Sequence, residues 1–202
     1  LVGSEMCIRH RYVRDPELVI NFYNERRKQL LDVEPNAGHT GLAEFEKDFN
    51  VTVVTQNVDN LHERAGSTHV IHLHGELTKV CSSRDPYNPR YVRELKPEEY
   101  EVKMGDKAGD GSQLRPFIVW FGEAVPEIET AIGYVEKADI FVIIGTSMNV
   151  YPAAGLLNYV PRTAEVYLID PKPVDTHSMR QIHVIQKGAS EGVKELKTEI
   201  LH

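Results

Sequence analysis

"IFVIIGTS", residues 140–147, is apolar at five successive positions and then turns polar at a glycine. A strand that is apolar on both faces has no solvated side, so it belongs in a parallel sheet covered by helices above and below. Runs of the same kind recur at 51–55, 70–73, 166–170 and 182–186, separated by helical or turn segments. The order predicts an α/β chain with a parallel-sheet, Rossmann-like nucleotide-binding domain. Ahead of it, residues 15–31 carry apolar positions at helical spacing, with Asp15 as N-cap and Pro16 in the first turn. A second helix follows from "PNAGHTGLAEFE", residues 35–46. Residues 117–121, "FIVWF", are extended but bracketed by Pro116 and Gly122, which places them off the parallel sheet. Between residues 80 and 116 the composition becomes charged and rich in proline and glycine with no core period, the mark of a small insert.

Composition narrows the function. A chain of 202 residues with 41% hydrophobic positions suits one large domain, or a domain with a small insert. There is no run of 18 apolar residues and no secretory leader pattern, so no membrane partner and a cytoplasmic location are expected. Only Cys7 and Cys81 are present, too few for a disulfide framework. A net charge of −7 with scattered basic residues disfavours nucleic acid. Arg26, Arg27 and Lys28 read as a solvated helix face.

In open parallel sheets ligands bind beyond the carboxyl ends of the strands, so the polar residues there are the candidates for chemistry. They are Gln56, Asn57 and Asp59 after one strand, His74 and Gly75 after another, and Thr146 and Ser147 after a third. Amide, carboxylate, imidazole and hydroxyl groups suit a carboxamide, a ribose and an adenosine, and a neutral histidine suits removal of a proton from a hydroxyl. In "THVIHLHGEL", residues 68–77, a period of two sends His72 and His74 to one face. That leaves open a single base, a metal pair or two strand residues. A metal pair needs a third or fourth ligand that the chain does not supply nearby.

The blocks "PNAGHTGLAEFE", "TQNVDNLHERAGS", "VIHLHGEL", "VWFGE", "IIGTS" with "VYPAAGL", and "VYLIDPKP" come in the order and spacing of the sirtuins. The chain resembles the bacterial protein deacylases of that family from about Tyr12 onward. The resemblance implies NAD as cofactor, acyl-lysine proteins or peptides as substrates, and a monomer. It places His74 as the catalytic base and His72 as a structural residue. Gln56, Asn57, Val58 and Asp59 would surround nicotinamide and its ribose. Gly145, Thr146 and Ser147, with Leu168, Ile169 and Asp170 and with Ala189 in "KGASEGV", would serve the adenosine side. Val119, Trp120, Phe121, Gly122 and Glu123 would pair with the substrate peptide as an added strand, Trp120 and Phe121 being candidates for the wall of the acyl-lysine tunnel. The implied reaction joins the acyl oxygen to the ribose carbon that bears nicotinamide, releases nicotinamide and moves the acyl group to the sugar, with proton removal assisted by His74.

Two departures from the family pattern follow. Many sirtuins hold a structural zinc on two cysteine pairs, whereas here Cys81 is followed by Ser82 and Ser83, so no metal is expected. The family's first strand and glycine-rich phosphate turn are not found ahead of Asp15. Residues 1–13 are therefore expected to be a non-native or unstructured start, and 14–202 the NAD-binding domain with its insert at about 80–116. The alternative to a deacylase is a truncated module that binds NAD or ADP-ribose without turnover.

Overall fold

The computed structural model describes residues 8–145, 153–173 and 181–201. Two compact units emerge, one of residues 1–33, 55–60 and 72–126 and one of residues 34–54, 61–71 and 127–202.

In the first unit, α2 (Pro16–Leu31) starts as the sequence predicts. Asp15 accepts a hydrogen bond from the Leu18 N–H at 3.1 Å, and Pro16 occupies the first turn, where no N–H is missed. Val19, Ile20, Tyr23 and Leu30 are its buried apolar residues. Arg27 is buried with them, only 3% exposed, which corrects the expectation of a solvated basic face at that position, while Arg26 and Lys28 are exposed. Its guanidinium donates to Leu77 O at 2.8 Å, Asn24 Oδ1 at 2.8 Å and Tyr100 O at 3.3 Å. Asn24 in turn bonds both the N–H and the C=O of Val102. Burial lowers the Arg27 pKa to about 10.

Ahead of α2, residues Ile8–Arg14 form α1 rather than an unstructured start. Tyr12 packs against the core of this unit and meets the Trp120 ring at 5.1 Å between centroids.

The expected insert is ordered. β3 (Gly75–Ser82) pairs antiparallel with β4 (Arg93–Glu94) and β5 (Leu114–Ile118) in the order β4-β3-β5. Its core joins Val80, Leu95, Val102, Ala108 and Leu114 to Ile20 of α2. Residues 117–121 thus lie partly on a sheet, although not on the parallel one.

The second unit holds the parallel sheet. β6 (Ile140–Ile144), β7 (Glu165–Ile169) and β8 (His183–Ile185) pair in register, Val142 beside Tyr167 and Tyr167 beside His183. α3 (Ala37–Phe45) opens with a capping box between Asn36 and His39. Phe45 of α3 and Val193 and Leu196 of α6 (Ala189–Leu201) bury Tyr167, Ile169 and Ile185. Burial of each such side chain contributes about 1.5–3 kcal/mol. α4 (Leu61–Ala65) and α5 (Ile128–Val135) complete the unit.

β1 (Val53–Thr55) and β2 (Val70–His72) form a pair of their own. Val53 N–H donates to His69 O at 3.0 Å, and Leu73 N–H donates to Thr55 O at 2.9 Å. Both chains advance together along the bonds, so the pair is parallel. The parallel strands therefore fall into two sheets rather than the single sheet the sequence suggests.

Candidate functional site

β2 closes at His72, and Leu73 and His74 form a turn into β3. The expectation that His72 and His74 share a strand face is thereby corrected, because the period of two stops one residue before it would apply. Gly75 makes the turn possible. Its φ is +82°, and a Cβ there would stand 2.1 Å from Phe117 O across the β3–β5 pair.

The two imidazoles have different surroundings. His72 is buried and its Nδ1 lies 3.0 Å from Asn57 O. A carbonyl only accepts, so Nδ1 carries the proton. His74 is half-buried, and its ring has no hydrogen-bond partner among the described residues. Its carbonyl accepts from Val119 N–H at 2.9 Å.

The loop that follows β1 is held on two sides. Thr55 Oγ1 accepts from Asn57 N–H at 3.0 Å, His72 engages Asn57 O, and Val58 O accepts from Leu77 N–H at 2.7 Å. Asn57 is exposed, while Gln56, Val58 and Asp59 are half-buried. Four of the sequence-predicted residues are thus fixed on the unit that carries His74.

Residues 119–123 belong to the same unit. Trp120 and Glu123 bond each other twice: Glu123 N–H donates to Trp120 O at 2.9 Å, and Trp120 N–H donates to Glu123 Oε2 at 2.9 Å. Gly122 supplies the positive φ of this tight turn, +85°. Glu123 also takes a forked pair from Arg115, Nη1 to Oε1 at 2.9 Å and Nη2 to Oε2 at 3.0 Å. The Arg115 guanidinium lies 4.0 Å from the Trp120 ring centroid. Burial pushes the Glu123 carboxyl up, but the hydrogen bonds from Arg115 and Trp120 outweigh it and hold the group below the usual range. Trp120 is 5% exposed, whereas Phe121 at the tip is 87% exposed. Of the two aromatic candidates for a tunnel wall, then, one lies in the core and the other in solvent.

The adenosine-side candidates sit on the second unit. Gly145 ends β6 and donates to Ile169 O at 3.0 Å. Leu168 and Ile169 are buried within β7, 0% and 1% exposed, so their side chains belong to the core and only the main chain is left for a ligand. Asp170, just past β7, accepts from Lys172 N–H at 2.8 Å. Ala189 opens α6 and is half-buried. Thr146 and Ser147 lie outside the described residues.

Where a zinc module would carry thiols, the insert carries hydroxyls. Ser82 Oγ donates to Asp110 Oδ2 at 2.7 Å, Ser112 Oγ donates to Asp110 Oδ1 at 2.7 Å, and Ser82 Oγ accepts from Arg84 and Asp85 N–H. The hydrogen bonds from Ser82 and Ser112 lower the Asp110 pKa to about 2. Cys81 is buried, with its thiol 3.7 Å from Pro116 O, and burial raises its pKa. Among the described residues no group of three or more His, Cys, Asp or Glu could hold a metal ion.

The sequence reading missed Arg115, Tyr87 and the Ser82–Asp110–Ser112 set. A charged Arg115 inside a buried run beside Pro116 was the available signal, since such a charge requires a partner.

A family model described as the Sir2 family matches residues 3–152. The chain belongs to the Sir2 family. It is 84% identical over 186 residues to a Bacteroides thetaiotaomicron protein named NAD-dependent protein deacylase, covering 92% of this chain and 80% of the relative. A Helicobacter pylori protein of the same name is 45% identical over 197 residues, covering 98% and 83%. Among solved structures, a Sir2 homologue in complex with NAD superposes with a TM-score of 0.80 at 34% identity, covering 94% of this chain and 74% of that one. A Sir2 structure with a p53 peptide and NAD+ gives 0.74 at 29% identity, covering 93% and 79%. The Sir2 match begins within the segment that the sequence reading set outside the fold.

Proposed function

We propose that this member of the Sir2 family is an NAD-dependent protein deacylase that transfers acyl groups from lysine side chains to ADP-ribose and releases nicotinamide. NAD brings a ribose carbon that accepts the acyl oxygen once nicotinamide departs, and it brings the ribose hydroxyls. The chain's own residues do the rest. His74 takes a proton from a ribose hydroxyl; its half-buried ring, which has no hydrogen-bond partner among the described residues, in a turn fixed by Gly75 is the observation that carries this role. The held loop of Gln56, Asn57, Val58 and Asp59 receives the nicotinamide and its ribose. On the second unit, Gly145, Thr146, Ser147, Asp170, Ala189 and the main chain of Leu168 and Ile169 receive the adenosine part. Residues 119–123 offer main-chain groups to an extended acyl-lysine peptide.

A metal-dependent hydrolase built on His72 and His74 has little support, since the turn at Leu73 and His74 takes the two imidazoles off a common strand face. No helix among the described residues is long and apolar enough to cross a membrane. A cytoplasmic, monomeric enzyme acting on acyl-lysine proteins is the setting that fits this reading.

The test is nicotinamide release from an acetyl-lysine peptide. Wild type is expected to release it only when both NAD and the acylated peptide are present. A protein that binds NAD but never releases nicotinamide would overturn the enzyme reading in favour of a binding module.

A further inference from the structure

The insert reaches the Glu123 carboxylate through Tyr87 as well as through Arg115. Tyr87 OH donates to Glu123 Oε2 at 3.0 Å, the same oxygen that accepts from Trp120 N–H and Arg115 Nη2. Oε2 therefore has three donors around it, and their directions fix the rotation of the carboxylate. Both main-chain groups of Trp120 are consumed by Glu123. The outward groups of the segment are those of its neighbours. Val119 C=O and the N–H and C=O of Phe121 have no partner among the described residues, and their aim depends on where Glu123 holds Trp120.

Tyr87 is itself held in place. Ser82 Oγ accepts from Arg84 and Asp85 N–H at 3.0 and 2.9 Å, which sets the start of the loop. Asp85 and Asn88 bond side chain to side chain at 2.9 Å on either side of Tyr87. The same Ser82 is anchored to Asp110 and Ser112 on the far arm of the insert.

We propose that Tyr87 is a positioning residue for the acyl-lysine peptide, its hydroxyl fixing the Glu123 carboxylate that shapes residues 119–123. This rests on the reading that those residues receive the peptide. It gives the insert, a segment without thiol pairs, a role in substrate recognition.

The experiment compares wild type, Tyr87→Phe and Phe121→Ala with an acetyl-lysine peptide, varying peptide at saturating NAD and NAD at saturating peptide. Tyr87→Phe removes one hydrogen bond to a charged group and leaves the ring, so the KM for peptide should rise about fivefold to tenfold. Its kcat and its KM for NAD should stay near wild type, and its melting temperature should fall by only a few degrees. Phe121→Ala, which alters the exposed tip, should also raise the peptide KM. If Phe121→Ala leaves that KM unchanged, the peptide reading of residues 119–123 fails. If Phe121→Ala raises it and Tyr87→Phe does not, the role of Tyr87 alone is overturned. A Tyr87→Phe protein that loses kcat, NAD affinity and melting temperature together would make Tyr87 a structural residue and overturn the proposal as well.

Discussion

Replacing Gly75 with alanine attacks the turn that presents His74. At φ +82° an L side chain costs about 1–2 kcal/mol. The added Cβ would lie 2.1 Å from Phe117 O and 2.9 Å from Phe117 C, both main-chain atoms that no rotamer can move. Relief requires β3 and β5 to separate by about 1 Å at this point, well beyond what a hydrogen bond tolerates. The Val119 N–H bond to His74 O and the pairing of Gly75 with Ile118 are the first to go. Each such loss in a half-buried place costs about 1–3 kcal/mol, which with the backbone strain makes a total of about 3–8 kcal/mol. That is a large part of the about 5–15 kcal/mol typical of a domain. Urea unfolding gives the difference directly from the midpoint and slope. Gly133→Ala is the control, since its Cβ would meet nothing within 4 Å and it sits inside α5; it should stabilise by about 0.5–1 kcal/mol. A Gly75→Ala protein that loses less than about 1 kcal/mol on the same scale and keeps its nicotinamide release would refute both the steric reasoning and the importance of this turn.

Three further outcomes are expected. His74→Tyr should abolish deacylation while NAD still raises the melting temperature, whereas His72→Gln should lower stability and leave measurable turnover; equal loss of turnover from both would revive the paired histidines. Arg27→Ala should destabilise by about 3 kcal/mol, because Leu77 O, Tyr100 O and Asn24 Oδ1 lose their donor in a buried place; denaturant midpoints within error of wild type would contradict this. Asp110 is held down to about pKa 2, so its contribution is complete above its unfolded value near ~3.9 and fades as pH falls from about 4 to 2. The melting-temperature gap between wild type and Asp110→Asn should therefore close across that window; a gap that stays constant down to pH 2 would rule it out.

Much of the second unit was legible because its signals are local. β6, β7 and β8 were read to within one or two residues from their apolar runs, although only β7 is buried along most of its length. The start of α2 was equally clear from Asp15 and Pro16. His74 was singled out, but its geometry was misjudged because the alternation continues in the letters after the backbone has turned at Gly75. The first unit was harder for a different reason. Its order depends on side chains bonding main chain far away in sequence, as Asn24 does with Val102 across 78 positions and Arg27 with Leu77 across 50. Such bonds leave no period. The Arg115–Glu123 pair is separated by eight residues, and only the composition of the run around it hints that the charges are matched.

Arg27 and Asn24 treat the insert as a chain of peptide groups. On the α2 side the joint requires two particular side chains, but on the other side it uses only the main chain of Leu77, Tyr100 and Val102. Every residue type has that carbonyl, and all but proline have the N–H that Val102 also donates, so identity at these positions answers to packing and, at Val102, to the need for an N–H. Leu77 and Val102 are buried, so side chains of like size and polarity there would leave the fastening to the helix unchanged. What is fixed at this seam is a set of peptide groups, so a change that keeps the backbone path keeps the fastening, and one that moves the backbone loses it whatever side chain it brings.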